Sequence, residues 1–203
     1  LGWERFVRRL YDQGNKVYVT GSNATLLSKE LGTRLTGRNI PLTLYPFSFV
    51  EYLRFLNIDI DKNSSSTVHK GSLKGHFQAY CEMGGFPDFI RTKETSYLRA
   101  LYDNILFRDV VSRHAISSEK TLKEIALFIA SNCGKPISYG AIQTYLKLGS
   151  QTTVKDYLSY MEDAYLIFLI NKFSPSVKTQ QIAPKKVYFI DVALARTVGF
   201  RTT

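Results

Sequence analysis

Lys16-Val17-Tyr18-Val19-Thr20-Gly21-Ser22-Asn23 is the stretch on which the fold turns. Val17, Tyr18 and Val19 are three consecutive β-favouring residues with turn formers on both sides, which predicts a short buried strand. The strand ends in small polar side chains. Such an end can place a hydroxyl or an amide near a phosphate, and an arginine further along, Arg38, can reach the same charge. The loop that would cradle the phosphate, Gly-x-x-x-x-Gly-Lys-Ser/Thr, does not occur: Gly134-Lys135 is followed by Pro136.

Working outward, residues 3–11 read as a helix with Trp3, Phe6, Val7 and Leu10 on one face, stopped by Gly14-Asn15. After the strand, Ser22 or Asn23 can cap a helix over residues 24–31. Ile40-Pro41-Leu42-Thr43-Leu44 reads as a second strand, at an edge or a strand start because of its proline. Ser48 then caps a helix over residues 49–56, and Glu51 three positions on makes a capping-box pattern. Residues 57–72, with Asp59, Asp61, Asn63 and three consecutive serines, form a polar linker. A helix over residues 73–83 ends at Gly84-Gly85-Phe86-Pro87, a rigid turn. Residues 95–113 form a long amphipathic helix with Leu98, Leu101, Tyr102, Ile105, Leu106 and Val110 inward.

The last third is patterned more sharply. Residues 119–132 are helical, with Leu122, Ile125, Ala126 and Ile129 on one face. Ser138 caps a short helix over 139–146, and Gly149-Ser150 turns into a third over 152–164. Strands over 165–170 and 186–190 follow. Three helices with a tight turn between the second and third, then a β hairpin, is the order of a winged helix-turn-helix.

Composition is that of a folded globular chain: 203 residues, 44% hydrophobic and 22% charged. No apolar run approaches the ~20 residues of a membrane span, and no secretory signal opens the chain. Two cysteines, Cys81 and Cys133, lack disulfide-scaffold density and zinc-site spacing. They imply a reducing, cytoplasmic setting and small buried side chains. The net charge is +10. Half of the excess lies in the last forty residues, where Lys172, Lys178, Lys185, Lys186, Arg196 and Arg201 face only Asp191. That distribution points to a polyanionic partner, with nucleic acid the candidate and no membrane.

Several words, in order, carry a family resemblance: Trp3, Thr20-Gly21-Ser22-Asn23, Leu35-Thr36-Gly37-Arg38, Leu44-Tyr45-Pro46-Phe47-Ser48-Phe49-Val50-Glu51, Gly84-Gly85-Phe86-Pro87 and Tyr188-Phe189-Ile190-Asp191. Together they resemble the bacterial and archaeal AAA-type predicted ATPases that carry a C-terminal DUF4143 domain. The chain departs from that family in lacking the phosphate-binding loop and the acidic pair that holds magnesium ahead of Trp3. The resemblance implies a mixed α/β, helix-rich chain. Residues 1–57 would be the C-terminal part of a P-loop ATPase core and 58–116 a helical lid. Residues 117–190 would be the winged helix-turn-helix, and 191–203 the start of a truncated nuclease-like domain. It implies ATP and Mg2+ as cofactors of the intact protein, with none bound tightly by this chain alone, and a homo-oligomer in the intact ATPase.

The resemblance also implies roles. Ser22 or Asn23 would sense the terminal phosphate or position the attacking water, against the plainer reading of a helix cap. Arg38, or else Arg34, would be the arginine finger that neutralises the transferring phosphoryl group, against a surface ion pair with Glu30 or Asp12. At the third helix of the winged region, Gln151, Thr152 and Lys155 suit base-edge and phosphate contacts. Lys172, Lys178, Lys185 and Lys186 suit backbone contacts from the wing, against a winged helix used for domain packing or protein contact; the alternative to an ATPase fragment is a winged-helix DNA-binding or protein-interaction module with no nucleotide role. Asp191 is a metal ligand only if partner carboxylates exist. His69, His76 and His114 have no ligand spacing.

Overall fold

A computed structural model describes residues 3–22, 40–59, 67–116 and 118–199. Its elements run α1 (Trp3–Asp12), α2 (Phe49–Phe55), α3 (Thr67–Met83), α4 (Pro87–Thr92) and α5 (Thr95–Asp103). A π-helical segment, Asn104–Val111, carries α5 on into α6 (Ser112–His114). Then come α7 (Glu119–Ser131), β1 (Pro136–Ile137), α8 (Tyr139–Leu146), α9 (Gln151–Asp163), β2 (Ile167–Ile170), α10 (Val177–Ile182), β3 (Lys185–Phe189) and α11 (Val192–Val198). The described residues are thus helix-rich with one small antiparallel sheet, of strand order β1-β3-β2.

Local chemistry explains the starts of these helices. Ser118, Ser138, Ser150 and Ser176 each accept a backbone N–H at the first turn of the helix that follows. The capping box at α2 is complete: Ser48 accepts from the Glu51 N–H, and the Glu51 carboxylate accepts from the Ser48 N–H at 2.8 Å. Each such cap is worth about 0.5–2 kcal/mol. The long helix expected over 95–113 forms as one continuous run, with a wide-turned middle. There the inward residues are Leu106, Asp109 and Val110, so a carboxylate joins the buried face.

The main core lies between this run, helices α7 to α9 and the inner face of the sheet. Leu106, Leu122, Ile125, Ile129, Ile142, Leu158, Met161, Leu166 and Leu194 are sealed from solvent within it. All four residues expected inward on α7 are fully buried, as are Val154, Leu158 and Met161 on α9. A smaller cluster joins α2 to α3 and α4, through Tyr52, Leu53 and Ile90 with Phe47, Phe49, Leu73 and Tyr80 around them.

Two strand expectations fail. Residues 15–21 and 40–45 carry no strand, and Ile40, Leu42 and Leu44 are 87%, 86% and 98% exposed. A strand needs a neighbour for its row of N–H and C=O groups, and no described strand lies beside either segment. The face of α1 expected to be inward is only half covered: Phe6 is exposed, and the buried residue is Glu4. Cys81 and Cys133, expected to be buried, are both exposed. The third helix starts at Gln151, one residue early, and the hairpin strands begin at Ile167 and Lys185. Tyr165 cannot open β2, because it adopts a left-handed turn at φ 53°.

Candidate functional site

Three of the sequence words meet at one junction. Gly84 adopts φ 66°, where a side chain would be strained. A Cβ on Gly84 would overlap the Asp191 carboxylate, and one on Gly85 would overlap the Phe47 backbone. The Gly85 N–H donates to Asp191 Oδ2 at 2.6 Å, while the Gly85 carbonyl accepts from the Phe47 N–H at 2.8 Å. The Tyr80 hydroxyl donates to the Phe47 carbonyl at 2.7 Å. Asp191 Oδ1 accepts from the N–H groups of Ala193 and Leu194, capping α11. The Leu-Tyr-Pro-Phe-Ser-Phe segment is therefore tied backbone to backbone to the Gly-Gly-Phe-Pro turn, and that turn is tied to the Asp191 carboxylate just beyond β3. Both glycines are there because the chains approach too closely for any side chain.

Asp191 is in this way a structural carboxylate. Both oxygens are taken by backbone donors, and burial raises its pKa against the lowering pull of those three bonds. Among the described residues no group of three His, Cys, Asp or Glu side chains could hold a metal ion.

Ser22 makes a second long-range link. Its hydroxyl donates to Asp109 Oδ1 at 3.0 Å, across 87 positions of sequence. Asp109 is buried on the π-helical segment, with the Arg113 guanidinium 3.6 Å away. Next to it, the His114 ring stacks on Tyr160 at 3.8 Å, and its buried Nε2 has no hydrogen-bond partner. Burial holds the His114 pKa below its ordinary value; Asp163 pulls it up and Arg113 pushes it further down. Asn23, Arg34, Arg38 and the helix expected over 24–31 lie outside the described residues.

The residues expected to meet nucleic acid divide between two places. Gln151, Thr152 and Lys155 are exposed at the start of α9. Lys172 and Lys178 are exposed between β2 and β3. Lys185 and Lys186 part company, because successive residues of a strand point to opposite faces. Lys185 sits beside buried Val187 in the inner-face register, and its Nζ donates to Asn171 Oδ1. Lys186 is exposed on the outer face, paired with Ile170.

That outer face also carries a feature the helical and strand patterns passed over. Phe168 and Tyr188 are cross-strand partners, stacked at 5.5 Å with their planes 18° apart. They form one wall of a groove of about 520 Å³, whose other wall is residues 43–48 with Glu51 and Tyr80. Alternation could have revealed it: Phe168-x-Ile170 and Lys186-x-Tyr188 both place apolar and basic groups on one solvent face. Asp109 and Tyr80 gave no such signal, since their partners lie 87 and 33 positions away.

Residues 74–202 match the model of a domain of unknown function, DUF8612, and residues 1–53 match that of an AAA domain. The C-terminal model is therefore DUF8612, where the resemblance implied DUF4143. An uncharacterized protein of Methanocaldococcus jannaschii is 38% identical over 197 residues, which are 93% of this chain and 44% of that protein. An uncharacterized protein of Haemophilus influenzae is 31% identical over 203 residues, 96% of this chain and 49% of that protein. The chain thus spans less than half the length of either relative. No solved structure matches it significantly.

Proposed function

The chain belongs to the DUF8612 family, with an AAA-domain match over residues 1–53, and from that premise we propose that it is the C-terminal part of an AAA-type ATP-binding and hydrolysing protein. The observation that carries this reading is the AAA-domain match, which ends at residue 53, inside the segment bolted to the Gly84-Gly85 turn and Asp191. The 203 residues contain no phosphate-binding loop. ATP, magnesium and the loop belong, in this reading, to the half of the longer protein that this chain does not cover. Ser22 and Asn23 are the nucleotide-sensing residues, and Arg38, with Arg34 as the alternative, is the finger acting in a homo-oligomer. A change of state at the core would reach the C-terminal domain by two routes: Ser22 to Asp109, and Phe47 to Gly85 and Asp191.

The test is ATP hydrolysis measured on the 203-residue chain and on the full-length jannaschii relative. The expected result is background for the chain and turnover for the relative. A robust rate from the 203-residue chain, abolished by Arg38→Ala, overturns the proposal.

A second reading is favoured by the element order. Apart from the short helix α10 between β2 and β3, the order helix, strand, helix, helix, strand, strand with sheet order β1-β3-β2 follows that of a winged helix-turn-helix. In that reading α9 presents Gln151, Thr152 and Lys155 to duplex DNA, while Lys172 and Lys186 meet its phosphates. Duplex affinity should then fall steeply with salt, because each neutralised phosphate releases counterions. A flat salt response removes this reading.

A further inference from the structure

We propose that the outer face of the β1-β3-β2 sheet is a binding groove for single-stranded nucleic acid, with bases stacked on Phe168 and Tyr188. The inference needs neither the ATPase reading nor duplex binding through α9. It starts from the pleat. Alternate residues of β3 put Lys186, Tyr188 and Ile190 on one face, and β2 adds Phe168 and Ile170 beside them. On a sheet that buries only one side, the solvent face is normally polar. Here it carries a near-parallel aromatic pair, with Phe168 40% exposed and Ile170 47% exposed.

The outer face is graded in charge along β3: the basic groups stand outside the groove, and the charged residues that line the groove itself, Glu51 and Asp191, are acidic. Lys186 stands at the start, about 6.6 Å of strand before Tyr188, with exposed Lys172 just beyond the end of β2. At the other end is Glu51, exposed to solvent, its carboxyl held below the usual pKa by hydrogen bonds from the Ser48 side chain and N–H. Those bonds go to Glu51 Oε2. Its other oxygen faces no donor among the described residues, which leaves an acceptor beside the aromatic wall. Asp191 lines the same end, with its oxygens already occupied.

Three ligand requirements follow. A flat, apolar surface must cover the ring pair, an anion must sit toward Lys186 and Lys172, and an N–H donor must face Glu51. A nucleotide meets all three, with its base on the rings, its phosphate on the lysines and an exocyclic amine toward the carboxylate. A strand of several nucleotides is favoured over a free one, because Lys172, Lys178 and Lys186 are all exposed on β3 or the segment that leads into it, more positive charge than one phosphate needs. Stacking on aromatic side chains accepts any base, so the groove reads strand state rather than sequence.

The experiment uses the 203-residue chain and a fluorescein-labelled 20-nucleotide single strand of mixed sequence, with the same sequence as a duplex and adenosine monophosphate as competitors. Binding is measured by anisotropy at several salt concentrations. Phe168→Leu and Tyr188→Leu should each weaken single-strand binding by about 5- to 100-fold. Lys186→Gln should lower the salt slope by about 0.7. A bromouracil-substituted strand should photocrosslink to Tyr188 or Phe168. Three outcomes overturn the proposal: no single-strand binding at low salt, binding indifferent to the ring substitutions, or displacement by duplex or by the mononucleotide at lower concentration than by unlabelled strand. If Tyr188→Leu fails to fold, the half-exposed Phe168→Leu and the crosslink position in the wild-type chain still decide the matter.

Discussion

Gly85 and His114 are the two residues where one change reports most. Gly85→Ala puts a methyl group into the Phe47 backbone, which cannot retreat without breaking the Phe47-to-Gly85 hydrogen bond. Denaturant unfolding should show a loss of about 2–3 kcal/mol; a loss below about 0.5 kcal/mol, the range of a neutral surface change, would mean that the junction is not closed. Asp191→Ala removes the acceptor for three N–H groups, one of them the buried Gly85 amide, and should cost about 2–4 kcal/mol. His114 has a folded pKa below its ordinary 6.5, so the unfolded chain takes up the proton first as pH falls. The stability that rests on neutral His114 is complete above 6.5 and is lost as pH drops from there toward the folded value. The facing groups are Asp163 and Arg113, with Tyr160 against the ring. His114→Phe keeps the stack and removes the titration, so the melting temperature should depend less on pH between 7 and 5. An unchanged slope would place the titrating group elsewhere.

At the scale of elements, legibility follows the range of the interactions. Helices α7, α8 and α9 were readable because serine caps and 3.6-residue periodicity are local, and the inward faces of α7 and α9 emerged as expected. The Val17-Tyr18-Val19 and 40–44 segments have strand composition but no described partner strand. Composition cannot supply a neighbour, so the prediction failed there. The candidate site divides in the same way. Ser22 was readable as a strand-end hydroxyl, but its bond to Asp109 was not. Lys185 and Lys186 were readable as charge, but only the register put them on opposite faces. The Gly-Gly-Phe-Pro turn was readable as rigid; that its glycines make room for Asp191 and Phe47 required the fold. The Ser22 link gives its own test. Ser22→Ala should cost about 0.5–1.5 kcal/mol, and in combination with Asp109→Ala the two effects should add to less than their sum, because each removes the same bond. Strict additivity would show that the bond is absent in solution.

Across the whole molecule, the segment matched to an AAA domain is not a loose extension of the DUF8612 residues. It reaches the C-terminal domain through Phe47, bonded to Gly85 and Tyr80, and through Ser22 at Asp109. Any nucleotide-driven movement of an attached core would arrive at α11 and the sheet by these contacts, close to the groove on the sheet's outer face. The most direct measurement of this claim is native-state amide hydrogen exchange of the Phe47 and Gly85 N–H groups, in the wild-type chain and in Asp191→Ala. The two amides should share one opening free energy in the wild type and lose protection together in the variant, because the junction opens as a unit. If Phe47 exchanges freely while Gly85 stays protected, or if Asp191→Ala exposes only one of them, the two parts are not joined as described.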